Sequence, residues 1–395
     1  MKILYILNSA NIYGGSTRSF MRYHEDLMKC HQDVCSVICS PVEPDLLKDL
    51  MPNERTAYYK VPFIFNIFPE SNSIKDRLLF LPKLIYKKVR LLLAYKKLSA
   101  IVKAEKPDII HTNVGVINTG CRVAQKMGIP HVYHLREFQN LDFGMKIMPS
   151  FQGFVKSLKQ KGNYNICITR SIQNHFHLDD SNSVVIYNGV KKRTYVPLVA
   201  EKENYFLFVG RLDPSKGAEE VIRAFIAIRN QDKNLKLLLA GDATDMLYKK
   251  QLIDIVAEAK AEDRILFLGN RSDVDELMAK GLALIVASKS EAFGLISAEA
   301  QFNRCLFVGK RSSGTDEQIQ NGKMIAGVEA GIGYSSIEEL TTIMDKIAEN
   351  PSRYDKTVDA GEMTAKELYS IEACSNNIYS LYGQISRRCG IPAAQ

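Results

Sequence analysis

The sequence predicts two doubly wound α/β domains within one chain of 395 residues. This length exceeds what one ordinary core needs and fits two domains of about 150 to 200 residues each. Short apolar runs alternate with helical stretches, a pattern that indicates parallel sheets covered by helices on both faces. The alternation starts afresh after the charged, aperiodic segment 191–204, which contains Pro197. We therefore predict domains at 1–190 and 205–370, a linker at 191–204 and a C-terminal segment at 371–395.

The first half shows the alternation from its first residues. An apolar strand at 2–7 is followed by a turn through 8–15 and a helical stretch at 16–29. Two later strands, PDIIH and PHVYH, are each entered through a proline after a helical stretch. The later strands of this half are predicted at 33–40, 107–111, 130–134, 165–169 and 183–187.

The second half repeats the pattern, beginning with the strand YFLFV at 205–209. Further strands are predicted at 235–240, 265–268, 283–287 and 305–308, and helices at 218–230, 246–259, 274–279 and 296–302. Ligands of such sheets bind beyond the carboxyl ends of the strands, where loops and helix starts converge. Two sheets that face each other would therefore form a cleft between the domains.

The composition indicates a soluble protein of the cytosol. Its 46% apolar and 24% charged residues are typical of globular proteins. The sequence has no run of about 18 uncharged apolar residues. Its first residues, MKILYILNSANIYGG, lack the basic region and cleavage site of a signal peptide.

The cysteine pattern predicts reduced thiols and no metal site. The eight cysteines are scattered without any C-x-x-C pair, and a zinc site would need a ligand spacing that is absent. Most of them lie in apolar runs, where a free thiol packs as a small hydrophobe. They are Cys30, Cys35, Cys39, Cys121, Cys167, Cys305, Cys374 and Cys389.

The net charge of +8 is concentrated in one segment, 75–106. This segment holds ten Lys or Arg against Asp76 and Glu105, so it alone carries +8 and the rest of the chain is neutral. Leucines, isoleucine and valine recur there at helical spacing beside the basic residues, which favours an anionic membrane surface as partner. Nucleic acid is disfavoured because no known binding module or stacking platform is present. The alternative interpretation is a domain helix with a solvated basic face.

Two cations stand in the loop 208-FVGRLDPSKG-217, which follows a predicted strand and ends at a helix start. Arg211 and Lys216 would lie beside the start of a helix, where free backbone N–H groups already favour the binding of an anion. Two fixed cations suit a diphosphate, whose negative charge grows as it departs. An ordinary solvated turn, with Arg211 paired to a neighbouring acid, is the alternative interpretation.

Two carboxylates flank a small turn in 288-SKSEAFGLISAEA-300. Glu299, just over one turn into the predicted helix, could accept both hydroxyls of a ribose. Glu291, on the loop, could hold a sugar hydroxyl, while the amides of Phe293, Gly294 and Leu295 face sugar and phosphate. The alternative interpretation makes both glutamates solvent-facing helix residues.

Glu291 and Glu299 have a Glu-x7-Glu spacing that encloses a Phe-Gly-Leu turn. This pattern follows the Arg/Lys loop after several alternating strands and helices of the same domain. The combination resembles the retaining nucleotide-sugar glycosyltransferases of family 4. The resemblance spans nearly the whole chain. It implies the GT-B fold, in which two Rossmann-like domains face a central cleft, the N-terminal one binding the acceptor and the C-terminal one the nucleotide sugar. It also implies that a C-terminal helix at 371–388 returns to the N-terminal domain.

The N-terminal half carries weaker parts of the same resemblance. Gly14 and Gly15 match the family's glycine pair, whose amides approach donor phosphate and acceptor. His134 in VYHLRE matches the histidine that contacts the donor sugar, and Asn188 in VIYNGV resembles the inter-domain turn. His111 ends the strand before an inter-domain loop, and a packed core histidine is the favoured interpretation there. The glycine pair could also be only a strand-to-helix turn that requires positive φ.

The sequence departs from the family pattern at several small residues. Ala292 stands where glycine is common, and Gly241-Asp242-Ala243 replaces a frequent Gly-x-Gly turn. In 312-SSGTDEQI-319, Ser313 and Gly314 occupy the position of a usual glycine pair, and Glu317 is the following acidic residue. These changes are small in volume, so they bear on donor preference more than on activity.

The resemblance implies a metal-independent, retaining hexosyltransferase without a cofactor. Arg211, Lys216, Glu291 and His134 would act in catalysis, with a UDP-sugar as the expected donor. The basic segment suggests a polyprenyl-diphosphate-linked saccharide as acceptor and a peripheral location on the inner face of the cytoplasmic membrane. Polysaccharide biosynthesis is the expected context.

Three other classes are considered. A nicotinamide oxidoreductase also uses two α/β domains, but the first turn, NSANIYGGS, is not the G-x-G-x-x-G expected for its pyrophosphate. A GT-B nucleotide-sugar epimerase shares the fold and the diphosphate site, and only an assay separates it. A non-catalytic protein that binds nucleotide sugars is disfavoured by the presence of Arg211, Lys216, Glu291 and Glu299 together.

Overall fold

The computed structural model describes residues 1–8, 14–69, 80–139, 145–147, 150–229, 232 and 234–391. The chain divides into two compact units. Unit 1 comprises Met1–Gly189 and Ile371–Gln395, and unit 2 comprises Val190–Ser370. The predicted linker, 191–204, contains no helix or extended strand and belongs to unit 2.

Fifteen strands and fourteen α-helices are present in the described residues, numbered here in chain order. The strands are β1 Lys2–Ile6, β2 Cys35–Ser40, β3 Thr56–Lys60, β4 Ile67–Pro69, β5 Ile109–Thr112, β6 His131–Leu135, β7 Met145–Ile147, β8 Asn163–Cys167, β9 Ser183–Val185, β10 Tyr205–Val209, β11 Lys236–Ala240, β12 Ile265–Gly269, β13 Ala283–Val286, β14 Phe307–Lys310 and β15 Ile332–Tyr334. The helices are α1 Gly15–Cys30, α2 Pro44–Leu50, α3 Phe80–Glu105, α4 Thr119–Met127, α5 Phe151–Leu158, α6 Arg170–His175, α7 Ala218–Ala227, α8 Met246–Glu258, α9 Val274–Lys280, α10 Leu295–Phe302, α11 Ser313–Ala326, α12 Ile337–Glu349, α13 Asp355–Leu368 and α14 Ile371–Cys389.

Unit 1 is built on a seven-stranded sheet in the order β3-β2-β1-β5-β6-β8-β9, all of whose pairings are parallel. The central strands are buried along nearly their whole length because helices cover both faces. On one face, aromatic residues of α1 pack with Ile378 and Tyr382 of α14. The C-terminal helix is therefore part of the unit 1 core, where Ser375 also donates a hydrogen bond to Asp26.

Unit 2 is built on a six-stranded parallel sheet in the order β12-β11-β10-β13-β14-β15. Its two faces carry separate apolar clusters, one with α7 and α12 and one with the residues around α10 and α11. Side-chain caps start several of its helices, since Asp245 accepts from the N–H of Leu247 and Ser336 accepts from that of Glu339. The predicted α/β fold class, with two parallel sheets covered by helices, is confirmed.

The sequence prediction differs from the structure mainly at short and peripheral elements. It did not include β3, an edge strand of mixed polarity (TAYYK), or the three-residue strand β15, because such runs carry little apolar periodicity. The predicted helix at 218–230 ends at Ala227, and residue 230 lies outside the described residues. The strand at 33–40 begins at Cys35.

The basic segment forms one 26-residue helix, α3, and its predicted residues 75–79 lie outside the described residues. The C-terminal half of α3 packs into the core through Ala94, Leu98, Ile101 and Val102, which are at most 7% exposed, whereas most residues of its first half are exposed. No helix of the described residues is long and apolar enough to cross a membrane.

Candidate functional site

In unit 2, the predicted site loops follow strands at the point where the strand order reverses, whereas in unit 1 His111 and His134 lie within β5 and β6. The order changes direction between β1 and β5 in unit 1 and between β10 and β13 in unit 2. Loops at the carboxyl ends of such neighbouring strands diverge and leave room for a ligand. The Arg/Lys loop follows β10 and the Glu291 loop follows β13, so unit 2 brings these two motifs together.

The loop after β10 is held against the end of β13. Gly217, the residue before α7, has a φ of 74° and leaves no space for a side chain, because a Cβ there would lie 2.3 Å from the carbonyl oxygen of Ala287. The N–H of Lys289 donates to the carbonyl of Ser215 over 2.9 Å. The glycine therefore allows the two loops to meet at one edge of the sheet.

Lys216 and Glu291 form the polar centre of this edge. The Lys216 Nζ lies 2.8 Å from the Glu291 Oε2, and their side chains are 30% and 21% exposed. A partly buried pair of this kind fixes both groups in position while one side stays open to a ligand. The structure thus joins two residues that the sequence places 75 positions apart.

Arg211 lies in the same loop but is not part of the Lys216–Glu291 pair. Its Nη2 is 3.4 Å from Asp213 Oδ2, and its side chain is 68% exposed. An exposed pair at this distance contributes less than about 1 kcal/mol, so it hardly competes with an arriving anion. The alternative interpretation of the turn, an arginine paired with a neighbouring acid, describes this contact correctly.

The Glu291 loop turns into α10 through a residue that must be glycine. Gly294 has a φ of 87° and precedes Leu295, the first residue of the helix. The Phe293 ring is 2% exposed and packs edge-on to Tyr369, with ring centroids 5.3 Å apart. The side chain of Phe293 therefore anchors the loop in the core, so at Phe293 only the backbone remains for ligand contact.

Two residues of α11 support this loop, and sequence reasoning missed one of them. The Gln318 side chain, fully buried, donates to the carbonyls of Phe293 and Gly294, the latter over 3.0 Å. The N–H of Gly314 donates to the carbonyl of Glu291 over 2.8 Å. Gln318 directly follows Glu317, the predicted acidic residue. Apart from this position, nothing in the sequence marks Gln318 as a support of the loop.

Ser313 explains one departure from the family pattern. Its φ is 42°, in the left-handed region that costs a non-glycine residue roughly 1 kcal/mol or more. A glycine would adopt this conformation freely, so the glycine that the family resemblance implies at this position has a physical reason. The neighbouring Gly314 has no space for a Cβ, which would lie 2.7 Å from the carbonyl oxygen of Ala292.

Glu299 lies in the second turn of α10 and is partly exposed. Its carbonyl accepts from the N–H and from the side-chain amide of Asn303 over 3.1 Å and 3.0 Å. These bonds fix the end of the helix, and the carboxylate of Glu299 remains a predicted ribose ligand.

Unit 1 gathers three of its predicted residues into one buried network centred on Arg136. His111 Nε2 lies 3.3 Å from His134 Nδ1, and the same His134 nitrogen lies 3.3 Å from Arg136 Nη2. Arg136 Nη1 donates to Asn188 Oδ1 over 2.6 Å. His111, His134 and Asn188, which the sequence spreads over three segments, thus share one chain of hydrogen bonds.

Arg136 was missed by sequence reasoning although it stands in the quoted VYHLRE. It is 5% exposed, and its guanidinium donates to the neutral oxygens of Asn113, Asn188 and Ser19. Burial lowers the pKa of Arg136. A buried cation held by neutral groups is costly, and no local sequence pattern distinguishes it from a surface arginine.

The histidines of this network are neutral. Burial, followed by the nearby Arg136 guanidinium, lowers the pKa of both His111 and His134 well below its usual range. Since an arginine can only donate, His134 Nδ1 accepts, and the ring proton lies on Nε2. His134 Nε2 is buried without a hydrogen-bond partner, so an N–H donor remains unused there.

His111 is a core histidine, in agreement with the favoured interpretation. It is fully buried, and its Nδ1 lies against the Tyr382 hydroxyl of α14. The glycine pair differs from the turn considered above. Gly14 has a φ of −75° as the residue before α1, so no positive φ is required there, and Gly15 is already helical.

A known family matches most of unit 2. Residues 194–364 match the family described as glycosyl transferases group 1. The matched range includes Arg211, Lys216, Glu291 and Glu299 and lies entirely within unit 2.

Three relatives among curated proteins are glycosyl-transferring proteins by name. An uncharacterised glycosyltransferase of Methanocaldococcus jannaschii is 28% identical, with 74% of this chain and 80% of the relative covered. N-acetyl-alpha-D-glucosaminyl L-malate synthase of Bacillus anthracis is 24% identical over 57% of this chain and 62% of the relative. A diphospho-undecaprenol-directed N-acetylgalactosaminyltransferase of Campylobacter jejuni is 26% identical over 44% and 47%, respectively. The chain thus spans less than two thirds of the length of the last two.

A solved structure matches both units. Anabaena HepE in complex with UDP has a TM-score of 0.75 and 18% identity, with 97% of this chain and 100% of that chain covered. At this identity the likeness establishes the fold, which is the GT-B fold with two Rossmann-like units. The chain therefore has the GT-B fold, and its residues 194–364 are similar to the glycosyl transferases of group 1.

Proposed function

We propose that the chain transfers a hexosyl group from a nucleoside-diphosphate sugar to a saccharide acceptor, with retention of the anomeric configuration. The observation that carries this proposal is the Lys216–Glu291 pair, 2.8 Å apart, where the Arg/Lys loop meets the Glu291 loop. It places a fixed cation and a fixed carboxylate at the edge of the sheet where nucleotides bind in doubly wound folds.

In this proposal, Lys216 and Arg211 hold the diphosphate of the donor. Lys216 is fixed by Glu291, whereas Arg211 is exposed and can turn from Asp213 toward an anion. Two cations beside the N-terminus of α10 stabilise the charge that develops on the leaving group. They supply the charge that a divalent ion supplies in other enzymes, so the proposed reaction uses no metal and no cofactor.

Glu291 and Glu299 bind the two sugars of the donor. Glu291 orients the transferred sugar, and Glu299 accepts the ribose hydroxyls. During transfer, the acceptor oxygen bonds to the anomeric carbon while the bond from that carbon to the diphosphate oxygen breaks. The departing oxygen takes the acceptor's proton on the same face, which retains the configuration. The unused N–H of His134 suits a sugar hydroxyl.

UDP is the proposed nucleotide, because the similar Anabaena structure holds UDP. The name of the Campylobacter relative specifies a saccharide on diphospho-undecaprenol, and we extend this acceptor class to the present chain. The exposed half of α3 supports a lipid-linked acceptor. It presents the apolar side chains Leu81, Ile85, Val89, Leu92 and Leu93, each 51–62% exposed. Apolar side chains beside lysines on one helix suit an anionic membrane surface at the inner face of the cytoplasmic membrane.

The test is a screen of donor hydrolysis and donor binding with UDP-, GDP- and ADP-sugars. We expect one UDP-sugar to be bound and slowly hydrolysed to UDP and free sugar with its original anomeric configuration. Binding followed by release of a changed sugar nucleotide would identify an epimerase instead. Binding without any turnover, even with saccharide acceptors, would contradict the enzyme and favour a binding protein.

A further inference from the structure

Unit 1 contains a cavity of about 230 Å³ that the site described above does not use. It lies between α4 and α5, and Tyr133 of β6 forms part of its wall. Successive residues of a strand face opposite sides of a sheet, so the cavity lies across the sheet from His134. The Arg136 network and this cavity are therefore separate features of unit 1.

The wall of the cavity is rich in neutral amides. Five amide side chains line it, and among the residues that the structure describes Arg122 is its only charged lining residue. Phe154 and Tyr133 add aromatic surface, with their rings edge-to-face at 5.8 Å between centroids. The amides are Asn66, Asn118, Gln125, Gln139 and Gln160.

Gln139 is the most unusual of these residues. It is 1% exposed, and neither its amide nitrogen nor its amide oxygen has a hydrogen-bond partner. Its φ of 65° lies in the left-handed region, which costs a residue of this type roughly 1 kcal/mol or more. Each unpaired buried polar group costs about 1–3 kcal/mol in addition. Backbone strain and two missing hydrogen bonds at Gln139 thus lower the stability of the fold, and Gln139 faces a cavity.

Two more amides around the cavity have unpaired atoms. Asn66 Nδ2 and Asn118 Oδ1 are buried and have no hydrogen-bond partner, and Asn66 is only 9% exposed. Donors and acceptors are therefore both unpaired on one wall. Gly115 makes room for this arrangement, because a Cβ there would lie 2.3 Å from Gln139 Nε2.

The chemistry of the wall selects a neutral, polyhydroxylated ligand. An anion would find one cation only, and an apolar ligand would leave the amides unpaired. Hydroxyl groups donate and accept at once and so satisfy amide nitrogen and oxygen together. The volume exceeds that of a single water, which takes about 30 Å³ of liquid, and suits one sugar ring whose C–H faces contact the aromatic rings.

A second cavity, of about 360 Å³, connects this feature to α3. It lies between α3 and α4, and its lining includes Lys88, Leu92 and Tyr95. The two cavities share Asn118 and Arg122 in their walls. A ligand in the amide cavity therefore lies next to the helix that carries the exposed apolar and basic side chains.

We propose that the amide cavity binds one neutral monosaccharide unit of the acceptor, with Gln139 as the residue that selects it. This inference rests on the proposed function, because it takes the acceptor to be a saccharide bound by unit 1. It adds the place of one sugar unit and specifies that this sugar is uncharged. The strain at Gln139 is retained because the amide is needed for a ligand.

The direct test is NMR of the full chain with selectively ¹⁵N-labelled glutamine side chains. Methyl α-D-glucopyranoside, methyl α-D-galactopyranoside and N-acetyl-D-glucosamine are titrated over about 1–50 mM, the range expected for a single weakly bound ring. We expect the Gln139 amide signals to shift in a saturable manner with at least one of these sugars. The matched control, Gln251→Leu on an exposed position of α8 in unit 2, should leave that shift unchanged.

Two variants make the test decisive. Gln139→Leu should abolish the saturable response of the other glutamines lining the cavity and should raise the melting temperature, because an unpaired amide is removed. Gly115→Ala, whose Cβ displaces the Gln139 amide, should weaken sugar binding at least about tenfold without loss of the fold. If none of the three sugars causes a saturable shift, or if the response persists in Gln139→Leu, the proposal is overturned.

Activity distinguishes failure of this inference from failure of the proposed function. Gln139→Leu should raise KM for a saccharide acceptor at least about tenfold while UDP binding, measured by calorimetry, stays unchanged. An unchanged acceptor KM in an active enzyme would overturn the cavity assignment alone. Absence of UDP-sugar binding in the unmodified chain would overturn the proposed function, whatever the sugar titration shows.

Discussion

The two units differ in how far they expose the polar side chains of their predicted sites. Unit 2 places its predicted site on loops at the sheet edge, where Lys216 and Glu291 are paired but partly exposed. Unit 1 buries its polar residues, with His134 and Arg136 at 1% and 5% exposure. All seven histidines of the chain lie in unit 1 and none in unit 2. Unit 2 thus presents its site charges at a partly exposed edge, whereas unit 1 holds the Arg136 cation and its hydrogen-bonding partners in the interior.

The largest expected consequence is that acid opens unit 1 before unit 2. Burial lowers the pKa of His24 and His131 to about 3, and that of His111 and His134 well below its usual range. In the unfolded chain these rings take up protons as the pH falls below about 6.5. Above that pH the rings are neutral in both the folded and the unfolded chain, so burying them as neutral groups costs nothing. As the pH falls from 6.5 toward 3, the unfolded chain takes up protons that the buried rings cannot, and the free energy of unfolding decreases. Each ring contributes on the order of 1 kcal/mol per pH unit within that window, and the four effects act in the same direction.

Hydrogen exchange read by mass spectrometry between pH 7.5 and 5 measures this effect separately in the two units. Unit 2 should keep its protection, because its shifted carboxylates, such as Asp273 and Glu362, have lowered pKa values and lose their contribution only below about pH 4. His177 is exposed, so His177→Gln should not move the pH at which unit 1 opens. Equal loss of protection in both units would break the comparison.

The next effect concerns the surface of α3. Lys88, Lys96 and Lys97 are exposed, whereas Lys87 donates to the carbonyl of Ile67 over 2.5 Å and is partly buried. Changing the three exposed lysines to glutamine should weaken binding to vesicles containing phosphatidylglycerol by about 1 kcal/mol per residue, or roughly 100-fold in total. Vesicle flotation at constant salt measures the bound fraction.

A matched variant in unit 2 sharpens this prediction. Lys250, Lys346 and Lys356 are also exposed and lie on helices, so their replacement by glutamine changes the net charge by the same amount. This variant should float like the unmodified chain. If both triple variants lose binding equally, the attraction comes from net charge rather than from α3, and the proposed membrane surface is wrong.

The smallest expected effect is at Glu299. Replacing Glu299 by alanine removes a carboxylate that accepts from the ribose, worth about 1.5 kcal/mol or a tenfold loss of UDP affinity. Calorimetry with UDP measures the loss, and turnover at saturating donor should change less than affinity. Unchanged affinity for UDP would remove Glu299 from the donor site.

The sequence predicted unit 2 better than unit 1 for a physical reason. The positions of Lys216 and Glu291 follow from short loops after strands, and both loops are readable as local motifs. The sequence placed Gly294 in the second loop, and the structure adds that its φ is positive directly before the helix. The family match covers the same residues, 194–364.

The sequence could not reveal features that depend on distant packing. Arg136 becomes important only because Asn113, Asn188 and Ser19 arrive from three other segments. The unpaired amide of Gln139 and the exposed apolar side of α3 are likewise visible only once the neighbouring elements are placed. Periodicity identified α3 as helical, but it did not show which half of the helix packs.

The central claim is that Lys216 holds the leaving diphosphate, and one pair of variants tests it most directly. Lys280 is a matched control, because its Nζ lies 2.8 Å from Glu276 and its side chain is 33% exposed, close to the values for Lys216. With the UDP-sugar that the screen selects, kcat should fall at least about 100-fold in Lys216→Ala, as expected for loss of one strong electrostatic donor. Lys280→Ala should keep kcat within about twofold, since its surface pair is worth little. Equal kcat values in the two variants would contradict the account.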